Sequence, residues 1–332
     1  MWQVLLLVCC TAIAARGSPQ GDYVKNILNA RGARYSDNIV EDANLNAPEL
    51  IEKYRYPVEV HHVTTEDGYI LEMHRIPHGR DRHTTPGGNK PVIFLMHGLL
   101  SSHISLNPNG ILNTNFWKFS WDEIGNIDLP TMIDFALEQS GQSRLHYGTT
   151  SFFVMGSLRP DYNAKIISMH ALAPVAYMAN NRNPLLWFIS PYSSNIDTMM
   201  PVIFGHTPAG ASVRQFAHYG QGIADKGFRR YDHGTWIANR RAYGSIRPPN
   251  YDLSKVTAPV FLHYSDKDPL AHVNDVDTLW KELGRPIGKF RIPMNSFSHL
   301  DFLWGIDAKE LVYDRVINLI WAMDVNGFSD NV

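Results

Sequence analysis

Cysteine is almost missing from this chain: among 332 residues only Cys9 and Cys10 carry thiols. Both lie inside one apolar run, Val4 to Ala15, that is too short to span a bilayer and ends in the small residues Ala12, Ala14 and Ala15. That pattern suits a cleaved leader, so residues 1–18 read as a signal peptide and the destination as secretion or a vesicular, lysosome-like lumen. The mature chain would then hold no thiol and no disulfide. An excess of one charge is missing too. Thirty Lys and Arg face 32 Asp and Glu, for a formal net charge of −2, and no block of basic residues is gathered anywhere. Neither a nucleic-acid partner nor a polybasic membrane anchor is implied. A second apolar run long enough for a transmembrane segment, an N-x-S/T sequon, an internal repeat and a low-complexity tract are likewise absent from the sequence.

What remains is 44% hydrophobic and 19% charged, enough to bury a sizeable core as one large domain with an appended cap. Asn46-Ala-Pro-Glu49 opens a short helix with Pro near its first turn. Val58 to Val63 and Tyr69 to His74 alternate apolar and polar about Thr65-Glu-Asp-Gly68, the pattern of a β-hairpin. Pro91 to Met96 is a continuous apolar run of the buried-strand kind, ending in His97-Gly98-Leu99. The next stretch, Ser101 to Asn115, is rich in Ser, Asn and Gly and has no helical period. No crossover helix and following strand can be placed there, although a parallel pair needs a dozen or more residues for its crossover.

Regular patterning then returns. Ser120-Trp-Asp-Glu123 has the spacing of a capping box, and Asp128-Leu-Pro130 starts a helix whose Met132, Ile133, Ala136 and Leu137 share a face, stopped at Gly141. Arg144 to Tyr147, Lys165 to Leu172, Val260 to Tyr264 and Phe290 to Pro293 read as strands. Thr149 to Leu158, Val273 to Leu283 and Ala308 to Met323 read as helices. Strand alternating with helix predicts an α/β class with a mostly parallel central sheet. Between Tyr177 and Pro249 the pattern is aromatic-rich and irregular.

The stretch Leu145-His-Tyr-Gly148-Thr-Thr-Ser-Phe-Phe153, with Phe116 to Gly125, Phe297-Ser-His299-Leu-Asp-Phe-Leu-Trp304 and Ser265-Asp-Lys-Asp268-Pro-Leu-Ala271, resembles the acid lipases, the family of gastric, lysosomal and insect lipases. The likeness runs from about Asn46 to Trp321. It implies an α/β-hydrolase fold with 46–176 as the N-terminal part of the core, 177–250 as a truncated lid, and 251–325 as the C-terminal part of the core. It also implies lipid ester hydrolysis, of triacylglycerol or sterol ester, by a Ser-His-Asp relay without metal or cofactor. In that family Asp268 matches the catalytic carboxylate, although Asp266 is a neighbouring candidate and an arbitrary D-x-D is most often a solvated turn. His299 matches the catalytic imidazole. The Leu99 backbone N–H matches half of the oxyanion hole. The adjacent His61 and His62 point to opposite faces of a strand, which argues against a metal site, and most of the other histidines besides His299 read as surface or loop residues.

The nucleophile is what the chain lacks. The family reads L-H-Y-x-G-H-S-Q-G-T-T-S-F-F where this chain reads L-H-Y-G-T-T-S-F-F, as though five residues were removed at the Tyr147-Gly148 join, and G-x-S-x-G occurs nowhere. Thr149, Thr150 and Ser151 fall on the helix beyond the surviving glycine and read as helix residues. A helix and strand are missing before Ile104, and most of the helical middle of the cap is missing between Met200 and Pro201. In the shared fold the lost strand lies between the hairpin and the Pro91 to Met96 strand, a gap of about two 4.8 Å spacings unless the hairpin moves in. Three separate losses imply an incomplete gene model or a splice form of an active lipase, inactive as written. The alternative is a secreted pseudoenzyme that binds lipid without turning it over.

Overall fold

The computed structural model describes residues 37–80, 90–98, 118–148, 151–181 and 212–326. Their strands form two sheets. The period-two stretches make the hairpin of β1 (Glu59–Thr64) and β2 (Ile70–Arg75), paired antiparallel with Glu59 opposite Arg75 and Thr64 opposite Ile70. Its turn is closed by Thr65, whose N–H donates to the Tyr69 carbonyl at 2.8 Å while its hydroxyl accepts from the Tyr69 N–H at 2.9 Å. Gly68 there sits at φ 88°, a region that favours glycine. Two short helices precede the hairpin, α1 (Asp37–Asp42) and α2 (Ala47–Lys53). Asn46 and Glu49 cap α2 reciprocally, with Asn46 N–H donating to Glu49 Oε2 at 2.7 Å and Glu49 N–H to Asn46 Oδ1 at 3.0 Å.

The second sheet is parallel and follows chain order: β3 (Ile93–Leu95), β4 (Leu145–Gly148), β5 (Ile166–Leu172), β6 (Val260–Tyr264) and β7 (Pro286–Arg291). Its inner strands are covered on both faces, so both side-chain sets are buried: Leu145, Tyr147, Met169 and Leu262 on one face are at most 1% exposed, and His146, His170 and His263 on the other at most 2%. β3 is different. It is an edge strand, and Ile93 and Leu95 are 47% and 76% exposed. The hairpin does not pair with it; among the described residues the two sheets share no ladder.

The capping box forms at α3 (Trp121–Glu123), where Ser120 N–H donates to Glu123 Oε2 at 2.7 Å. A π-turn, Ile124–Asp128, then leads into α4 (Leu129–Ser140), which stops at a left-handed Gly141. The π-turn lets Gly125 press on α5 (Phe152–Leu158), where an added Cβ would meet Val154 Cγ1 at 2.4 Å. In the stretch that the sequence leaves irregular lie two helices, α6 (Val213–Asp225) and α7 (Trp236–Tyr243). The chain continues with α8 (Val273–Glu282), the single turn α9 (Asp301–Trp304), and a π-turn that opens α10 (Asp314–Asn326). The last strand begins earlier than its apolar residues suggest, at Pro286 and not near Phe290, because Val260 N–H donates to the Arg285 carbonyl and so starts the β6–β7 ladder there. Leu99, Thr149, Thr150, the signal-peptide stretch and the join at Met200 lie outside the described residues.

Candidate active site

Parallel strands bring the loops at their carboxyl ends together on one edge of the sheet, the usual place for a site in an open α/β sheet. Here the loops after β6 and β7 meet. Ser265, the first residue past β6 and 1% exposed, donates its hydroxyl to the Phe297 carbonyl, tying the two loops. Ile292 N–H donates to the Tyr264 carbonyl at 2.9 Å and carries the ladder up to that point.

Asp268 sits at the centre of the first loop, 2% exposed. Its Oδ1 accepts the backbone N–H groups of Leu270 and Ala271, each at 2.8 Å. Its Oδ2 faces His299 Nδ1, also at 2.8 Å. A carboxylate held by two backbone donors has a fixed orientation, so the imidazole it meets is fixed as well. Asp266 turns away to Arg291, at 2.6 Å, and that hydrogen bond, outweighing a slight burial effect, lowers its pKa. Of the two aspartates, Asp268 is the one His299 meets.

The loop carrying His299 is pinned on both sides. Phe297 and Phe302, each 2% exposed, pack edge to face at 4.9 Å. Ser298 N–H donates to Asp301 Oδ2 at 2.6 Å, and Tyr313 hydroxyl donates to the Phe302 carbonyl at 2.6 Å. The His299 side chain keeps 22% of its surface open. Burial pulls its pKa down, but the Asp268 charge and hydrogen bond together more than offset this, and the imidazole is raised above its ordinary value. With Nδ1 committed to Asp268, Nε2 is the nitrogen left to take a proton from a nucleophile.

Gly148 ends β4, and Ser151, three residues on, hydrogen-bonds to the buried Tyr147 hydroxyl at 3.1 Å. His97 and Gly98 follow β3, with His97 Nδ1 at 2.9 Å from the Gly98 carbonyl. The described residues hold no group of three or more His, Cys, Asp or Glu arranged to bind a metal.

A parallel five-stranded sheet with an Asp-His pair after its last two strands defines an α/β-hydrolase. The family model for a partial α/β-hydrolase lipase region matches residues 47–109. Lipase 1 of Drosophila melanogaster is 34% identical over 369 aligned residues, covering 85% of this chain and 81% of the relative. Human gastric triacylglycerol lipase is 30% identical over 408, covering 96% and 99%. The chain belongs to the acid lipase family. Both aligned lengths exceed its 332 residues, so each alignment must open gaps within it. An esterase from Pyrococcus furiosus superposes with TM-score 0.47 at 11% identity, covering 81% of this chain and 91% of that one.

Four buried histidines escaped the sequence reading. His146, His170, His218 and His263 are all at most 2% exposed. Three of them cross the sheet in one polar line: His146 Nδ1 lies 2.7 Å from Ser168 Oγ, which lies 3.0 Å from His170 Nε2, and His170 Nδ1 lies 3.5 Å from His263 Nε2. The available signal was positional: His146, His170 and His263 each sit in a largely apolar strand, and His218 on α6.

Proposed function

We propose that this chain is a nucleophile-free form of an acid lipase, produced by internal loss of segments from an active lipid ester hydrolase. Asp268 and His299 are the charge relay of that enzyme. In the intact form Asp268 orients the imidazole, His299 Nε2 takes the serine proton and returns it to the leaving alcohol, and the Leu99 N–H faces the developing oxyanion. Triacylglycerol or sterol ester is the substrate class, and a secretory or lysosomal route fits the leader-like first 18 residues. The observation that carries the reading is the 2.8 Å Asp268–His299 contact, a relay with no nucleophile to serve. Loss of a triad serine costs on the order of a million-fold in kcat, so the chain as written does not turn over ester.

The second reading, a secreted lipid-binding pseudoenzyme, is favoured by one feature: the relay and the β4 to β7 sheet keep their packing without the nucleophile. Mass spectrometry of the tryptic peptide Leu145 to Lys165 from the source tissue separates the two. A peptide five residues longer, with a serine between two glycines, supports the incomplete-form reading. The peptide as written in an abundant, folded secreted protein refutes it.

A further inference from the structure

Helix α7 presents an apolar pair and a set of cations to solvent in a way its own packing does not require. Trp236, Ile237 and Ile246 are 59%, 62% and 60% exposed. Arg240 and Arg241 lie one helical turn beyond Trp236 and Ile237 and are exposed, as is Arg247. From His233 to Tyr251 the sequence has no Asp or Glu. Arg240, Arg241 and Arg247 have no ion-pair partner among the described residues, whereas nearby Arg230 is engaged with Asp122 and the Tyr243 ring.

The exposure is not fraying. Thr235 caps the start through the Ala238 N–H at 3.2 Å, and a left-handed Gly244 closes the end. The side away from Ile237 and Arg241, which Trp236 and Arg240 flank, is fastened by Asn239, 3% exposed, which accepts the His233 N–H at 2.9 Å and donates to Asp232 Oδ1 at 3.0 Å. Tyr243 donates to the Tyr231 carbonyl at 2.8 Å. Packing therefore fixes which face looks outward.

An indole beside an aliphatic side chain, backed by uncompensated guanidinium groups, matches a lipid–water interface: the ring partitions to headgroup depth, and the cations meet anionic headgroups. The net charge of the chain is −2, so attraction to an anionic surface has to come from a local patch such as this one. We propose that Trp236, Ile237, Arg240, Arg241 and Arg247 form a docking surface for an anionic phospholipid membrane. This deepens the lipid-acting reading by naming the surface the protein sits on, and it needs no catalysis.

The test is co-sedimentation of the full chain with vesicles of non-hydrolysable diether phospholipid, either all phosphatidylcholine or 30% phosphatidylserine. Binding is expected to the anionic vesicles and to fall with salt. Arg240→Gln/Arg241→Gln is expected to weaken it about 25-fold, near five-fold per charge, and Trp236→Ser/Ile237→Ser at least ten-fold on the same vesicles. Lys309→Gln, an exposed charge on another helix, is the control and should change binding less than two-fold. Binding that is absent, indifferent to vesicle charge, or equal in all variants would overturn the proposal. Ester turnover is not read in this assay, so its failure leaves the hydrolase assignment intact.

Discussion

The line of buried histidines makes a quantitative prediction about acid. Burial lowers the pKa of both His170 and His263 to about 3 from an ordinary 6.5, reinforced by His263 and His146 for the first and by Arg315 for the second. The unfolded chain takes up these protons near pH 6.5, while the folded chain resists until about 3. Between those values the unfolded state binds more protons, so this stabilisation is complete above 6.5 and is lost as pH falls. At pH 4.5 the loss is two pH units, roughly 3 kcal/mol per imidazole and about 5 kcal/mol for the pair. A domain is stable by only about 5 to 15 kcal/mol in total. Other groups act in the opposite sense: Asp128 is raised to about 7 by burial and by Asp67 and Glu123, and His299 is raised despite its burial by Asp268. Both favour the folded state in acid.

A difference measurement isolates the pair. In His170→Phe/His263→Phe the aromatic stacks survive, because His170 lies on Phe261 at 4.9 Å and His263 on Phe290 at 5.3 Å. The variant loses the Ser168 contact and adds some volume, a cost of about 1 to 3 kcal/mol at pH 7.5. Urea unfolding at pH 7.5 and 4.5 for both proteins gives four free energies. Asp128, His299, Asp324 near His146 and every other titrating group are common to both proteins and cancel. The wild type should lose about 5 kcal/mol more than the variant between the two pH values. A difference under about 1 kcal/mol would refute the claim that these imidazoles are held neutral by burial.

Asp268→Ala should cost about 2 to 4 kcal/mol in urea unfolding at pH 7, since it strands the buried Leu270 and Ala271 N–H groups. Asp268→Asn keeps that acceptor, should cost less than half as much, and should lower the His299 pKa followed by NMR. Asn163→Ala should cost about 2 to 4 kcal/mol by the same assay, because this buried amide donates to the Gly156, Pro160 and Lys255 carbonyls and accepts from the Thr257 and Ala258 N–H groups.

Legibility followed the range of the interactions concerned. The Asn46 and Ser120 capping boxes, the hairpin about Thr65 to Gly68 and the stop at Gly141 are set within a few residues, and the sequence shows them. Strand β6 is nearly as legible, because its burial on both faces leaves an apolar run interrupted only by His263. The Asp268–His299 contact joins residues 31 apart, and only the resemblance to a family, not periodicity, places them together. Helix α7 was illegible for the opposite reason: its one buried side chain is Asn239 rather than a leucine, so no apolar period marks it, whereas in α6 a spaced apolar set including Tyr219 and Ile223 was there to be read but is interrupted by the buried His218. The π-turns were invisible because an inserted residue breaks the 3.6 period it would be read from.

The two ends of the parallel sheet are finished differently, and the difference bears on the proposal that segments have been lost. Strands β4 to β6 are packed on both faces, and the Asp268–His299 contact forms beside them. At β3 an apolar edge strand leaves Leu95 76% exposed and Ile93 47% exposed, with the hairpin in a sheet of its own. Covering a leucine fully is worth about 1.5 to 3 kcal/mol, and an uncovered apolar edge is a template for pairing with another chain. A pseudoenzyme maintained for lipid binding would be expected to have blunted that edge with a charge or a proline, as stable sheets do. Its side chains are instead those of an inner strand awaiting a neighbour. That fits the proposed loss of a neighbouring strand, and it supports the reading of an incomplete lipase over that of a lipid-binding pseudoenzyme.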